Sequence, residues 1–200
     1  MDLALFLLLA FGLIIIPGPN VIVIVTTSLV HGRLRGLQTV AGTSCAMIVQ
    51  LLVAALGTVW FVTAVSEGLK WLKWLGVAYL FYLGITQIRT ALGHTALNSP
   101  SAADSFHRGF WVSLTNPKTI FFFSAFLPQF VSGQANYFAD IALLSGIFWL
   151  MAITLDSAYA LLSGKLASAF RSGRHHKLSG VVSGGLFLGA GVALAAVGRE

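Results

Sequence analysis

LALFLLLAFGLIIIPGPNVIVIVTTS, residues 3–28, decides the fold. It carries no charge and exceeds the roughly 20 apolar residues that a helix needs to cross a hydrocarbon core of about 30 Å. Asp2 is the only charge before His31, so the basic start of a secretory signal is missing. The stretch is also too long for one, and no small-residue cleavage site follows an apolar run of the usual size. Near its middle stands Pro17-Gly18-Pro19. Proline removes a backbone donor and clashes with the preceding turn, so two prolines around a glycine break or sharply kink a helix. The stretch reads as a membrane-crossing helix interrupted halfway.

Five further apolar stretches follow, at about 39–65, 69–90, 109–131, 138–163 and 178–198. Hydrophobic residues make up 57% of the 200, charged residues 9%, and the mean hydropathy is +0.88. A soluble domain would carry roughly a quarter of its residues charged. The stretches are too long for barrel strands and do not alternate. Helices satisfy their own backbone groups in lipid, so the pattern predicts an all-α integral membrane protein of six transmembrane helices. Residues 1–200 form a single membrane domain. Its third loop, ALGHTALNSPSAADSFHR at 91–108, reads as a flexible cytoplasmic connector between a first half (1–90) and a second (109–200). Cys45 is the only cysteine, lies inside the second stretch and can form no intramolecular disulfide.

A formal charge of +6 could suggest nucleic acid, but its distribution excludes that partner. Arg33, Arg35, Arg89, Arg108, Lys118, Lys165, Arg171, Arg174 and Lys177 belong to loops one, three and five with their helix ends, nine of twelve basic residues. Lys70, Lys73 and Arg199 fall on the other side. The positive-inside rule then places those loops in the cytoplasm and both termini outside. The fifth loop, 164–177, is the most basic and should lie near anionic headgroups. Its adjacent His175 and His176 do not converge easily on one ion, and His31, His94 and His107 have no ligand spacing. No metal or cofactor is expected.

The halves echo each other. PGPN at 17–20 precedes TNPK at 115–118 by 98 positions (118 − 20), which sets Pro19 on Pro117 and Asn20 on Lys118. Three helices per half would invert the second copy. Inverted repeats whose segments are interrupted by Pro or Gly at matching places point to a transport site near the midplane, with helices 1 and 4 broken.

Several residues in these segments carry chemistry. The carbonyls freed at Pro17, Gly18 and Pro19 need side chains, water or a ligand. Asn20 could cap the second half-helix or contact a substrate; the plainer alternative is a packing kink with Asn20 bonded locally. Asn116, Pro117 and Lys118 repeat the pattern, and Lys118 lies well inside its segment. A lysine at the bilayer centre costs about 2.5–3.5 kcal/mol on insertion scales. It requires a partner, a wet cavity or a function, unless its long stem snorkels to the interface. Asp156 is the one carboxylate well inside the fifth stretch, away from its ends. It lies at a depth comparable to Lys118, so an ion pair is sterically allowed, whether purely structural or opened by a substrate bearing both charges. Gln50, mid-way along the second stretch, is a lesser candidate contact. Asp140 is near a helix end and solvated, and Pro128 is structural.

Gly42 with Ala46 has the spacing of close helix packing, as do Gly180, Gly184, Gly185 and Gly189. The last four suit either intramolecular packing or a homodimer face. Trp60, Trp71, Trp74 and Tyr137 read as interfacial anchors.

IPGPN at 16–20 with HGRLRG at 31–36, LGVAYLFYLGI at 75–85 and RGFWVSLTNPKTIFFFSAFLPQF at 108–130 together resemble the LysE/RhtB superfamily of amino-acid exporters, over most of the chain and in order. The resemblance implies efflux of amino acids or their derivatives across a bacterial cytoplasmic membrane, driven by the proton gradient. It also implies functional positions at Pro17, Gly18, Pro19, Asn20, Asn116, Pro117 and Lys118. Early in the second helix, where members commonly carry a second glycine and a polar or acidic residue, this chain has AGTSCAMIVQ (41–50). That departure weakens the case for a strongly cationic substrate.

A lipid-handling protein such as a scramblase would need a continuous polar stripe along one helix, which the sequence lacks; an ion transporter is a further alternative. An enzyme would need a metal cluster, a Ser/His/Asp set or paired carboxylates inside the segments, and none occurs. The expected protein is therefore a secondary transporter. Its site would be built from Pro17, Gly18, Pro19, Asn20, Gln50, Asn116, Pro117, Lys118 and Asp156.

Overall fold

The computed structural model describes residues 2–56, 74–86, 88–89, 92, 101–131, 137–169, 181–182, 184–190, 192 and 195. All regular structure among them is helical. Helix α1 (Leu3–Ile15) starts where the Asp2 carboxylate accepts the Leu5 N–H and ends at the extended Ile16, because a residue before proline avoids the helical region. Helix α2 (Pro19–His31) begins with proline in its first turn, where the missing N–H has no partner to lose. The two axes bend by 47° across the break. Gly32 closes α2 at φ +88°, a conformation that favours glycine. Helix α3 (Arg33–Leu56) follows at once, and α4 covers Trp74–Thr86.

Helix α5 (Ala102–Leu114) starts inside the stretch expected to be a flexible connector. Ser101 and Asp104 form a reciprocal capping box there, each side chain bonding the other's backbone N–H. That pair satisfies donors otherwise left free in the first turn, so 102–108 is helix. The expected break appears at Thr115–Asn116. A five-residue helix α6 (Pro117–Phe121) runs on into a π turn (Phe122–Phe126) and a 3-10 turn (Leu127–Phe130) that holds Pro128. Helix α7 (Tyr137–Ala169) is continuous and carries Asp140 in its first turn; it therefore takes up the start of the expected fifth loop.

Among the described residues two helices, Arg33–Ala55 and Tyr137–Leu166, are long and apolar enough to cross a membrane, and the bent α1–α2 pair makes a third if taken as one span. The expected stretches 39–65, 69–90 and 178–198 fall partly outside the described residues. So do Trp60, Trp71, Gly180, His94, His175 and His176.

Helices α3 and α5 pack backbone to backbone. A Cβ on Gly42 would strike the Phe106 carbonyl oxygen, and one on Gly109 the Thr39 carbonyl oxygen; only glycine lets these backbones meet. Gly184 packs within the chain against Gly84 and Ile88, whereas a Cβ on Gly185 or Gly189 would meet nothing within 4 Å. Along α7 the buried stripe Ile141, Leu144, Phe148, Ala152, Asp156, Ala160 repeats at helical spacing, with one acid among apolar residues.

Two apolar clusters result. One joins Phe6, Ala10, Ile14, Met47, Phe123 and Phe148 among others; the second joins Val23, Ile24, Val40, Leu80, Val112, Ala160 and Phe187. Along α1–α2, along α5 through the π turn, and along α7, Asn20, Asn116 and Asp156 fall between the residues of one cluster and those of the other. A thin polar layer separates two greasy ones.

Candidate functional site

At the first break, each proline orphans one carbonyl. In an unbroken helix Leu13 O would accept from residue 17 and Ile15 O from residue 19, and both are prolines. Side chains from the far half replace them. Lys118 Nζ donates to Leu13 O and to Ile16 O, each at 2.7 Å, and Tyr159 Oη donates to Ile15 O at 3.0 Å. Gly18 makes room for this: a Cβ there would sit 3.2 Å from Lys118 Nζ.

The second break is served in return by the first half. Pro117 cannot donate to Ser113 O, which accepts the Asn116 N–H at 3.0 Å instead, and Lys118 N–H turns to the Asn116 side chain (3.1 Å) rather than to Leu114 O. Gln50 Nε2 donates to both carbonyls, at 2.8 Å to Ser113 and 3.2 Å to Leu114. Each break in the chain is thus closed by a polar side chain from the other half. Gln50 Oε1 is buried without a hydrogen-bond partner among the described residues.

Between the breaks runs a directed chain of donors. Asn116 Nδ2 donates to Asn20 Oδ1 (2.9 Å), Asn20 Nδ2 to Ser113 Oγ (3.1 Å), and Ser113 Oγ to Thr43 O (3.2 Å). All four residues are buried. Asn116 also caps α6, while Asn20 caps nothing; Gly18 stands at the α2 cap and the Asn20 amide points across to the second break. The local-capping reading of Asn20 is replaced by a long-range one.

These groups surround a small cavity lined by Gly18, Asn20, Asn116, Lys118, Thr119 and Asp156 together with apolar side chains. It leaves about 20 Å³, where one water needs about 10–15 Å³. An amino acid does not fit without movement. Lys118 and Asp156 face this one space, yet Lys118's hydrogen bonds go to carbonyls and form no direct ion pair with the acid. Asp156 is 3% exposed, and no described residue hydrogen-bonds its carboxyl group.

Of the residues singled out from sequence, Gly18, Asn20, Asn116, Lys118 and Asp156 meet at the cavity. Pro17, Pro19 and Pro117 act by removing donors, and Gln50 braces the second break outside the cavity lining. Sequence reasoning missed Thr43, Ser113, Thr119 and Tyr159. Tyr159 had one available signal: it lies three residues from Asp156, on the same face of α7. Among the described residues no group of His, Cys, Asp or Glu could hold a metal.

The family model of the LysE type translocator matches residues 2–198. A homoserine/homoserine lactone efflux protein of Salmonella typhimurium is 30% identical over 193 residues, covering 95% of this chain and 94% of its own length. An uncharacterized membrane protein of Pseudomonas aeruginosa is 33% identical, with 91% and 89% covered. A leucine efflux protein of Klebsiella pneumoniae is 27% identical, with 95% and 92% covered. No solved structure matches.

Proposed function

Because this chain belongs to the LysE translocator family, we propose that it exports amino acids or closely related small metabolites across the cytoplasmic membrane of a bacterium. The observation that carries the reading is the meeting of Asn20, Asn116, Lys118 and Asp156 at one cavity, between two broken helices and between two apolar clusters. Intramembrane ionisable groups that face a shared cavity are the usual mark of a transport path. Relatives along nearly the whole chain are named efflux proteins, which supports the direction of transport.

In this reading the chain crosses the membrane six times as two inverted three-helix halves, with both termini outside. The site lies at the midplane and opens alternately to either side. Lys118 takes the substrate carboxylate, and Asp156 takes the amino group or the coupling proton. The cavity's small size supports assigning the present conformation to a closed state, since a solute must push the halves apart to enter.

Purified protein in liposomes preloaded with a mixture of labelled amino acids tests this, with and without an imposed proton gradient. Gradient-dependent loss of one or a few amino acids is expected. Replacing Lys118 by Ala should stop that loss while leaving membrane insertion intact. Undiminished export by K118A would remove Lys118 from the centre of the mechanism, and retention of every amino acid by folded wild type would overturn the export reading.

A further inference from the structure

We propose that the Leu13 and Ile16 carbonyls form the receptor for the substrate's ammonium group, and that Lys118 occupies this receptor as a built-in stand-in until substrate arrives. The inference rests on the export reading above and names the chemistry of that site.

Lys118 Nζ sits 2.7 Å from both oxygens, the short length of charge-assisted bonds. Its position is what two acceptors fixed by a helix break offer to any –NH3⁺ group. Leu13 O is available because Pro17 has no N–H, and Ile16 O because it lies in the break itself. Gly18 keeps the space beside the ammonium open. Asp156, buried and lining the same cavity, places a carboxyl group beside this cation site.

The arrangement has a logical consequence for the ligand. Lys118 gives two of its three N–H bonds to these carbonyls. Turning its ammonium fully onto a substrate carboxylate, as the export reading requires, vacates them and leaves two oxygens that lipid cannot satisfy. A ligand carrying both an ammonium and a carboxylate removes that penalty in one exchange. Its ammonium takes the Leu13 and Ile16 carbonyls beside Asp156, and its carboxylate takes the released Lys118. No proton needs to move, and charge is conserved. A ligand with one of the two groups makes only half of this exchange. The site therefore selects small zwitterions with N–H bonds to donate, and rejects quaternised or N-acylated analogues.

Binding to the receptor can be read apart from transport. K118A, purified in detergent, is heated with methylammonium chloride or tetramethylammonium chloride at equal concentration. Methylammonium should raise the unfolding midpoint saturably in K118A and leave wild type unchanged, while tetramethylammonium, which has no N–H, should do neither. Equal shifts from both salts, or none in folded K118A, overturn the proposal. A second measurement uses wild type alone: N-methyl and N,N,N-trimethyl forms of an exported amino acid compete for its efflux. The mono-methyl form should compete and the trimethyl form should lose at least tenfold; equal competition overturns the receptor. If methylammonium stabilises K118A but no amino acid is exported by wild type, the ammonium receptor stands and the export reading falls.

Discussion

Ser113 and Thr119 each donate one buried hydroxyl bond of similar length, yet their removal should differ in cost. Ser113→Ala takes away the acceptor of Asn20 Nδ2 (3.1 Å) and the donor to Thr43 O (3.2 Å). Thr43 lies inside α3, where its carbonyl keeps a backbone donor. Asn20 keeps none for that N–H, and a buried donor left unpaired costs about 1–3 kcal/mol. Thr119→Val removes a 3.1 Å bond to Asn116 O, but that oxygen still accepts the Ile120 N–H at 3.2 Å. Nothing is orphaned, and the shape is kept, so the cost should stay below about 0.5 kcal/mol. Thermal unfolding of both variants in one detergent reads the difference, at roughly 2–4 °C per kcal/mol for a chain of this size. Ser113→Ala should fall by several degrees and Thr119→Val by about one. Equal losses, or a larger one for Thr119→Val, would refute the idea that orphaned groups rather than lost bonds set the stability of this layer.

Gly109→Ala should separate α3 from α5 and cost about 1–3 kcal/mol by overpacking. Gly185→Ala, with open space around it, should be neutral or stabilising by up to about 1 kcal/mol from helix propensity; the same unfolding assay compares them. Tyr159→Phe should cost about 0.6 kcal/mol, the average for a hydrogen bond between membrane helices; a cost indistinguishable from zero would mean the Ile15 carbonyl finds water. At the start of α5, the Ser101 hydroxyl and N–H hold the Asp104 carboxyl below its ordinary pKa. A depressed pKa means that the cap contributes above the unfolded carboxylate range, near pH 4, and weakens as pH falls through and below it. Protection factors of the first-turn amides, corrected for the intrinsic pH dependence of exchange, should fall on acidification in wild type and show no such step in Asp104→Asn.

The breaks themselves were legible, because proline and glycine act on the backbone wherever they stand. PGPN and NPK therefore located the breaks that border the cavity, and Lys118 and Asp156 announced themselves as charges in apolar surroundings. The partner of Lys118 was not legible. Carbonyl oxygens are the same at every position, so the sequence displayed Asp156 as the visible counter-charge and hid Leu13 and Ile16. Hydroxyl residues were hidden for a related reason. Thr26, Thr86 and Thr154 bond back to the carbonyl four residues earlier, the common habit of such side chains in helices. Ser113 and Tyr159 reach across instead, and only tertiary placement separates the two behaviours. The composition of 91–108 read as connector, yet Ser101 and Asp104 are spaced three apart as a helix start requires.

That each break is closed by the opposite half bears on how the protein is made. As the chain leaves the ribosome, α1 and α2 enter the bilayer with the Leu13, Ile15 and Ile16 carbonyls still waiting for Lys118 and Tyr159, which are about a hundred residues or more behind. The first helix is complete only when the fifth stretch has been threaded. The N- and C-terminal parts of the chain should therefore depend on each other in biogenesis. A chain cut within 93–100 should assemble when both pieces are made in one cell, and each piece made alone should be handed to membrane proteases.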